Sequence, residues 1–218
     1  MKKYKNILIF DFETTGLDPI NDEIIEIGAI KLKLEENNYE LTDDLSLLLV
    51  PSAPITSKIT EITGITNEML LREGVSQEEG FNKLSMLIEE DTLLIAYNIA
   101  FDLGFLETFY KRHWDRNYEV NNDLLDVMAV YKDRHQFPHR LESAIAKYSV
   151  TIPNSHRASD DAKATFEVLK ALKNERDVID KFINVIGYNP NYPYRGPRPS
   201  GVRVVPHKGG RLEIEKGL

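Results

Sequence analysis

The chain of 218 residues contains no cysteine. This absence excludes disulfide bonds, thiolate metal sites and cysteine nucleophiles. It also fits a reducing compartment, so a cytoplasmic location is the expectation.

Long apolar runs are missing as well. Uncharged stretches such as residues 45–57 and 92–101 fall short of the roughly 18 apolar residues that a membrane helix needs. The apolar run at residues 7–10 is too short for the core of a signal peptide and is followed at once by acids. We therefore expect no membrane partner, while 42% apolar residues are ample for the core of one domain.

An excess of positive charge is also lacking, since 27 Lys and Arg face 35 Asp and Glu, giving a net charge of −8. Taken alone, this balance argues against a polyanionic partner. If four of the carboxylates were metal ligands, however, half of the net charge would belong to the metal site. The acidic composition therefore does not exclude an enzyme that acts on nucleic acid.

The most informative stretch is ILIFDFETTG at residues 7–16. Side chains alternate across a strand, so Asp11 and Glu13 share one face, and both faces are apolar up to the end of the strand. This pattern is typical of a central strand covered on both sides. Two adjacent carboxylates at such a place require a cation between them, or else they mark only the solvated end of the strand.

The remaining pattern predicts alternating strands and helices. After residues 7–13, two further strands at 23–34 and 39–50 complete a three-stranded meander. Ser76 and Glu79 form a capping box that begins a helix at residues 76–90. The later expected elements are a strand at 92–97, a helix capped by Asn98 that carries Asp102, a short strand or helix start at 124–130, a helix at 141–148 and a long amphipathic helix that carries Asp161.

Three separated segments thus each direct acids inward: Asp11 with Glu13, then Asp102, then Asp161, which His156 precedes at H-x4-D spacing. In their contexts DFETTG, YNIAFD and HRASDD, these residues resemble the DEDDh branch of the DEDD 3′-to-5′ exonuclease superfamily. Its best-known members are the epsilon proofreading subunits of bacterial replicative polymerases. The resemblance covers residues 7–172 in order and spacing.

The resemblance implies an α/β, ribonuclease H-like fold with a mixed five-stranded sheet flanked by helices. It implies that Asp11, Glu13, Asp102 and Asp161 hold two divalent metal ions, Mg²⁺ or Mn²⁺, and that His156 is the general base. Members of the tyrosine branch carry a tyrosine four residues before the last acid. Arg157 occupies that position here, so the histidine branch is the one matched.

The implied reaction is phosphodiester hydrolysis from the 3′ end of single-stranded or mismatched DNA, releasing nucleoside 5′-monophosphates. An RNA exonuclease of the same fold and a non-catalytic nucleic-acid-binding module are the alternatives. A DNA polymerase subunit is a candidate partner, although no polymerase domain or sliding-clamp peptide is recognisable in the sequence.

Candidate substrate contacts lie beside these acids. Thr14, Thr15 and Gly16 would let backbone N–H groups approach the terminal nucleotide, and Asn98 and Phe101 resemble residues that line the pocket for the last bases. Simple core packing is an equally open interpretation for them. The other four histidines, His113, His135, His139 and His207, have no acidic cluster beside them in sequence and are expected to be non-functional.

The composition changes near residue 188. Residues 188–212 contain five of the ten prolines, five Lys or Arg, three tyrosines and no acid. We therefore predict an exonuclease domain at residues 1–187 and a basic, Pro/Gly-rich C-terminal tail at residues 188–218. The tail would either follow a phosphate chain with its rings against bases, or pack along the acidic surface of the protein.

Overall fold

A computed structural model describes residues 3–36, 38–152 and 157–217 of the chain. Its main sheet has five strands in the order β3-β2-β1-β4-β5. The strands are β1 (Asn6–Thr14), β2 (Ile24–Glu35), β3 (Asn38–Leu48), β4 (Leu93–Ala96) and β5 (Leu124–Asp126).

Strand β1 lies at the centre of this sheet and is buried on both faces. Ile7 and Ile9 belong to one apolar cluster, whereas Leu8 and Phe10 belong to the cluster on the opposite side. The alternation read from the sequence therefore corresponds to two cores, one on each side of the sheet.

Strand directions are mixed. β1 pairs antiparallel with β2, and β2 pairs antiparallel with β3. β1 pairs in parallel with β4, and β4 with β5. The carboxyl ends of β1, β4 and β5 therefore lie at the same end of the sheet, and residues that follow those strands can meet there.

Helices cover the two faces of the sheet. They are α1 (Ser57–Thr63), α2 (Asn67–Glu73), α3 (Gln77–Ser85), α4 (Ile99–His113), α5 (Val127–Arg134), α6 (Leu141–Tyr148) and α7 (Ala158–Glu175), with a 3₁₀ turn at Ile179–Phe182. None of the helices in the described part of the chain combines the length and apolar character needed to cross a bilayer.

The architecture confirms the predicted mixed five-stranded sheet and its three-stranded meander, but two local predictions were wrong. The helix expected at residues 76–90 begins as predicted, with the Ser76 hydroxyl accepting from the Glu79 N–H, yet it ends at Ser85. The N–H groups of Leu87 and Ile88 bond three residues back, which closes the helix as a tight turn.

The second wrong prediction concerns Asn98. This residue precedes α4 in the left-handed region, with φ of 69°, and its side chain makes no capping bond. Its backbone N–H instead donates to Asp126 Oδ1 at 3.1 Å, so a buried acid at the end of β5 fixes the start of α4. A chain turn that depends on an acid 28 residues away is not visible in local sequence.

The C-terminal segment folds back onto the rest of the protein. β6 (Val185–Tyr188) and β7 (Arg203–Pro206) form a small parallel sheet. The buried Asp133 of α5 accepts from His207 Nε2 at 3.1 Å and from the N–H groups of Ile214 and Glu215. The segment beyond residue 187 is thus packed, and the division into domain and tail at that residue stays a prediction.

Candidate active site

Three of the four predicted acids meet where β1 ends. Asp11 and Glu13 lie on β1 and Asp161 on α7, and each offers a carboxylate oxygen that lies within 4.8 Å of the other two. The period of two in β1 places its two acids on one face, and α7 crosses that face with Asp161 in its first turn. The three acids, which are far apart in the sequence, are therefore close together in the structure.

Asp102 joins this site from the first turn of α4. Its side chain is buried, and Oδ1 accepts the N–H of Phe12 at 3.1 Å, which attaches the start of α4 to the segment between Asp11 and Glu13. Its charge also contributes to the raised pKa of Asp11, after the larger effect of burial.

Burial and mutual repulsion disfavour full ionisation of the cluster. Burial raises the pKa of Asp11 well above its usual range, and the charges of Asp102 and Asp161 raise it further. Burial and the charge of Asp161 raise the pKa of Glu13 to about 8, although Arg157 opposes this shift. Burial also raises the pKa of Asp102, against hydrogen bonds from the backbone N–H groups of Phe12 and of Asp102 itself.

The same features fit a divalent cation. Oxygen atoms of carboxylates are the ligands that Mg²⁺ and Mn²⁺ prefer, and a bound cation reverses the repulsion that raises these pKa values. Asp11, Glu13 and Asp161 have the proximity that such a site requires. Asp102 lies beside them as a fourth oxygen donor.

Close contact between β2 and α7 sets the position of Asp161. Gly28 of β2 lies beside Asp11 in the sheet. A Cβ atom at Gly28 would lie 2.0 Å from the carbonyl carbon of Ala158, the first residue of α7. Only glycine permits this approach of the helix start to the strand.

A buried acid that the sequence reasoning did not single out holds the same helix. Glu26 of β2 is paired with Glu13 on the neighbouring strand β1 and is fully buried. Its Oε1 accepts from Arg157 Nε at 2.9 Å, and its Oε2 accepts the N–H of Ala158 at 3.0 Å. The available signal was an acid in the middle of the apolar run EIIEIGAI, a position where an unpaired charge is costly.

The loop after β1 is braced by its own hydrogen bonds. The N–H of Thr15 donates to the carbonyl of Glu23 at 2.9 Å. Thr14 Oγ1 donates to the carbonyl of Gly16. A Cβ atom at Gly16 would lie 2.3 Å from Asp22 Oδ2, so a larger residue there would displace the Asp22 side chain that bonds Thr15 Oγ1. Substrate contact by Thr14, Thr15 and Gly16 stays a prediction.

Asn98 and Phe101 open onto solvent beside Asp102. Asn98 is exposed and Phe101 is half-buried, with its ring 5.0 Å from that of Phe105. Both line a cleft of about 810 Å³ that continues toward the C-terminal segment. This placement is compatible with the predicted contact to bases.

His156 lies outside the described residues. Its assignment as the general base therefore stays a prediction from the H-x4-D spacing. The residue after it, Arg157, precedes α7 and is attached to Glu26, as described above.

Comparisons with known proteins identify the class. The exonuclease family model RNase_T matches residues 8–169. The chain is 36% identical over 181 residues to the PolC-type DNA polymerase III of Clostridium perfringens, and 37% identical over 166 residues to that of Thermotoga maritima. The chain belongs to this exonuclease family, a class of nucleases that depends on divalent metal ions, and this confirms the family predicted from the motifs.

These matches cover 79% and 74% of the chain but only 12% and 11% of the two polymerases. The chain therefore spans about a tenth of the length of the relatives that it matches. Its similarity is to one part of each polymerase.

Solved structures show the same fold. Exonuclease I has a TM-score of 0.67 at 20% identity over 78% of this chain and 41% of its own. A zinc-bound complex of Escherichia coli exonuclease I with single-stranded DNA has a TM-score of 0.69 at 19% identity, over 82% of this chain and 42% of its own. At such identities the likeness concerns the fold, and it confirms the ribonuclease H-like α/β class.

Proposed function

We propose that this protein is a divalent-metal-dependent 3′-to-5′ exonuclease that acts on single-stranded or mismatched DNA ends and releases nucleoside 5′-monophosphates. The observation that carries the proposal is the convergence of Asp11, Glu13 and Asp161, with Asp102 beside them, at the carboxyl end of β1. A module that only binds nucleic acid would not require this cluster of mutually repelling carboxylates.

In the proposed mechanism, the four carboxylates would hold two cations, Mg²⁺ or Mn²⁺. When bound, such ions stabilise charge on the attacking water and on the leaving 3′ oxygen. Asp102 also fixes the strand by accepting the Phe12 N–H. The ion pair of Glu26 with Arg157 and the contact at Gly28 hold α7, so that Asp161 stays aligned with β1.

His156 is proposed as the general base that takes the proton of the attacking water. A neutral imidazole is required, and with an ordinary pKa near 6.5 the rate should rise between roughly pH 6 and 7. His156→Ala should lower kcat by about 10² to 10⁴ and remove that limb of the pH profile. A variant that keeps both the rate and the limb would show that another group takes the proton.

The relatives found favour DNA over RNA as the substrate. They also favour a polymerase as a partner. The similar polymerases are PolC-type DNA polymerase III proteins, and one exonuclease I structure holds a dA16 oligonucleotide. An association with a DNA polymerase subunit, a proofreading role and a cytoplasmic location belong to the same proposal.

The test compares initial rates on four substrates in Mg²⁺ or Mn²⁺: single-stranded DNA, a primer–template with a 3′ mismatch, the matched primer–template, and RNA of the same sequence as the single strand. We expect fast hydrolysis of the first two, slower hydrolysis of a matched primer, and slow hydrolysis of RNA. Faster hydrolysis of RNA would replace the DNA assignment with an RNA exonuclease of the same site. Asp161→Asn serves as the inactive control.

A further inference from the structure

The cleft of about 810 Å³ has three walls that come from distant parts of the chain. One wall is the loop at residues 17–20, the second is the start of α4 at Phe101, and the third is the C-terminal segment at residues 187–196. The family model ends at residue 169, so the third wall lies beyond the part of the chain that the family shares.

The third wall is firmly held. The Tyr194 hydroxyl donates to the carbonyl of Pro197 at 2.6 Å, and β6 and β7 pair beneath it. A Cβ atom at Gly104 of α4 would lie 3.1 Å from Pro19 and 4.0 Å from Pro197, so helix, loop and C-terminal segment meet at this glycine. The cleft is therefore formed before any ligand arrives.

Lys132 of α5 also lines this cleft, and only 8% of its surface is exposed. No hydrogen bond or ion pair joins its ammonium group to any residue that the structure describes. Burial lowers its pKa, although the charges of Asp126 and Glu213 oppose this shift. Its ammonium group can therefore pair with an anionic ligand group that enters the cleft.

The opening of the cleft carries groups suited to nucleotides. Tyr192 is 76% exposed, and Arg195, which also lines the cleft, is exposed as well. The one acid of the 17–20 loop, Asp18, is engaged locally, because its Oδ1 accepts the Ile20 N–H and its Oδ2 accepts from Asn21. The lining thus offers cations for phosphates and a ring for a base.

We propose that this cleft is a second nucleic-acid subsite, in which Lys132 and Arg195 bind backbone phosphates of the substrate strand and Tyr192 stacks on one of its bases. The inference rests on the proposed function, since the occupant is the part of the strand that extends from the nucleotide at the carboxylates. Phe101 lines the cleft and neighbours Asp102, which connects the two sites. The segment beyond residue 187 is then both packed structure and substrate contact.

The test measures the binding of fluorescein-labelled dT12 and dT3 by anisotropy across a salt series, in an Asp161→Asn background that prevents digestion. Lys132→Met, Arg195→Ala and Tyr192→Ala should each raise the Kd for dT12 about tenfold, and that for dT3 much less. Each charge removal should also reduce the slope of log K against log salt by about 0.7.

Two matched controls separate this subsite from general effects. Arg203→Ala removes an exposed arginine of the same segment outside the cleft and should leave Kd nearly unchanged. Tyr192→Phe keeps the ring and should bind as the parent does. Because Tyr192 is mostly exposed, its variants test the subsite even if Lys132→Met lowers the melting temperature.

Digestion of unlabelled dT12 by the wild-type protein is measured in parallel. The wild-type protein could digest dT12 while the variants at Lys132, Arg195 and Tyr192 bind dT12 with the same Kd as Arg203→Ala. That result would overturn the subsite and leave the proposed function intact. Absence of both digestion and dT12 binding would overturn the proposed function and the subsite together.

Discussion

Glu26 and Arg157 form an ion pair in which Arg157 Nη2 lies 2.7 Å from Glu26 Oε1. The two side chains differ in burial, because that of Glu26 is fully buried whereas that of Arg157 is 37% exposed. The charge that remains after one partner is removed therefore differs in its access to water. Loss of Arg157 leaves a buried carboxylate close to Glu13, and loss of the Glu26 charge leaves an arginine that can reach water.

We predict that Arg157→Ala lowers the unfolding free energy by about 3–5 kcal/mol, the usual cost of an uncompensated buried charge. Glu26→Gln keeps an oxygen for the N–H of Ala158 and should cost about 1–2 kcal/mol. Urea unfolding of both variants and of the double variant measures the difference. Equal costs for the two single variants would contradict this assignment of burial.

The second prediction concerns the carboxylate cluster. Asp11→Asn should abolish hydrolysis, and without divalent cations it should unfold at the same temperature as the wild type or a higher one, because one repelling charge is gone. Mn²⁺ at about 100 times its Kd should stabilise the wild-type protein by about 2.7 kcal/mol and the variant far less.

Thermal melts with EDTA and with Mn²⁺ measure this effect, and Asp115→Asn, which alters an exposed acid outside the cluster, is the control. Equal stabilisation of Asp11→Asn and wild type by Mn²⁺ would remove Asp11 from the metal ligands.

The third prediction concerns the anchor of the C-terminal segment. Burial raises the pKa of Asp133, but hydrogen bonds from His207 and from the N–H groups of Ile214 and Glu215 outweigh burial, so the pKa lies below its ordinary value. A carboxyl with a lowered folded-state pKa contributes stability above its unfolded pKa of about 3.9 and loses that contribution as pH falls through its folded-state value.

Asp133→Asn should therefore lower the unfolding free energy by about 2–4 kcal/mol at pH 7, since two backbone donors and His207 lose a charged acceptor. The difference from wild type should shrink as the pH falls below about 4. Urea unfolding at pH 7, 5 and 3.5 measures both. A difference that stays constant over this range would show that the charge of Asp133 does not hold the segment.

Sequence alone was sufficient for the features that repeat along the chain or lie close together in it. The alternation in β1 predicted a central strand with Asp11 and Glu13 on one face, and the helical period placed Asp161 on the inward side of α7. Contacts between distant segments were not predicted. The pairing of Glu26 with Arg157 spans 131 residues, and that of Asp133 with His207 spans 74.

Such pairs depend on which elements the fold brings together, and no local pattern encodes them. The same reason explains the wrong prediction for Asn98. Its backbone N–H donates to the distant Asp126, and its side chain does not cap α4. The segment beyond residue 187 gave a compositional signal, but its packing against Asp133 became evident only from the structure.

Digestion of a 5′-labelled single-stranded DNA by the wild-type protein with Mg²⁺ or Mn²⁺, followed on a denaturing gel, tests the proposed activity. A 3′-to-5′ exonuclease should give a ladder of labelled products that shortens one nucleotide at a time from the 3′ end as nucleoside 5′-monophosphates are released. The ladder should be absent with EDTA or with Asp161→Asn. Immediate release of a labelled mononucleotide, or a ladder that persists in EDTA, would contradict the proposed activity.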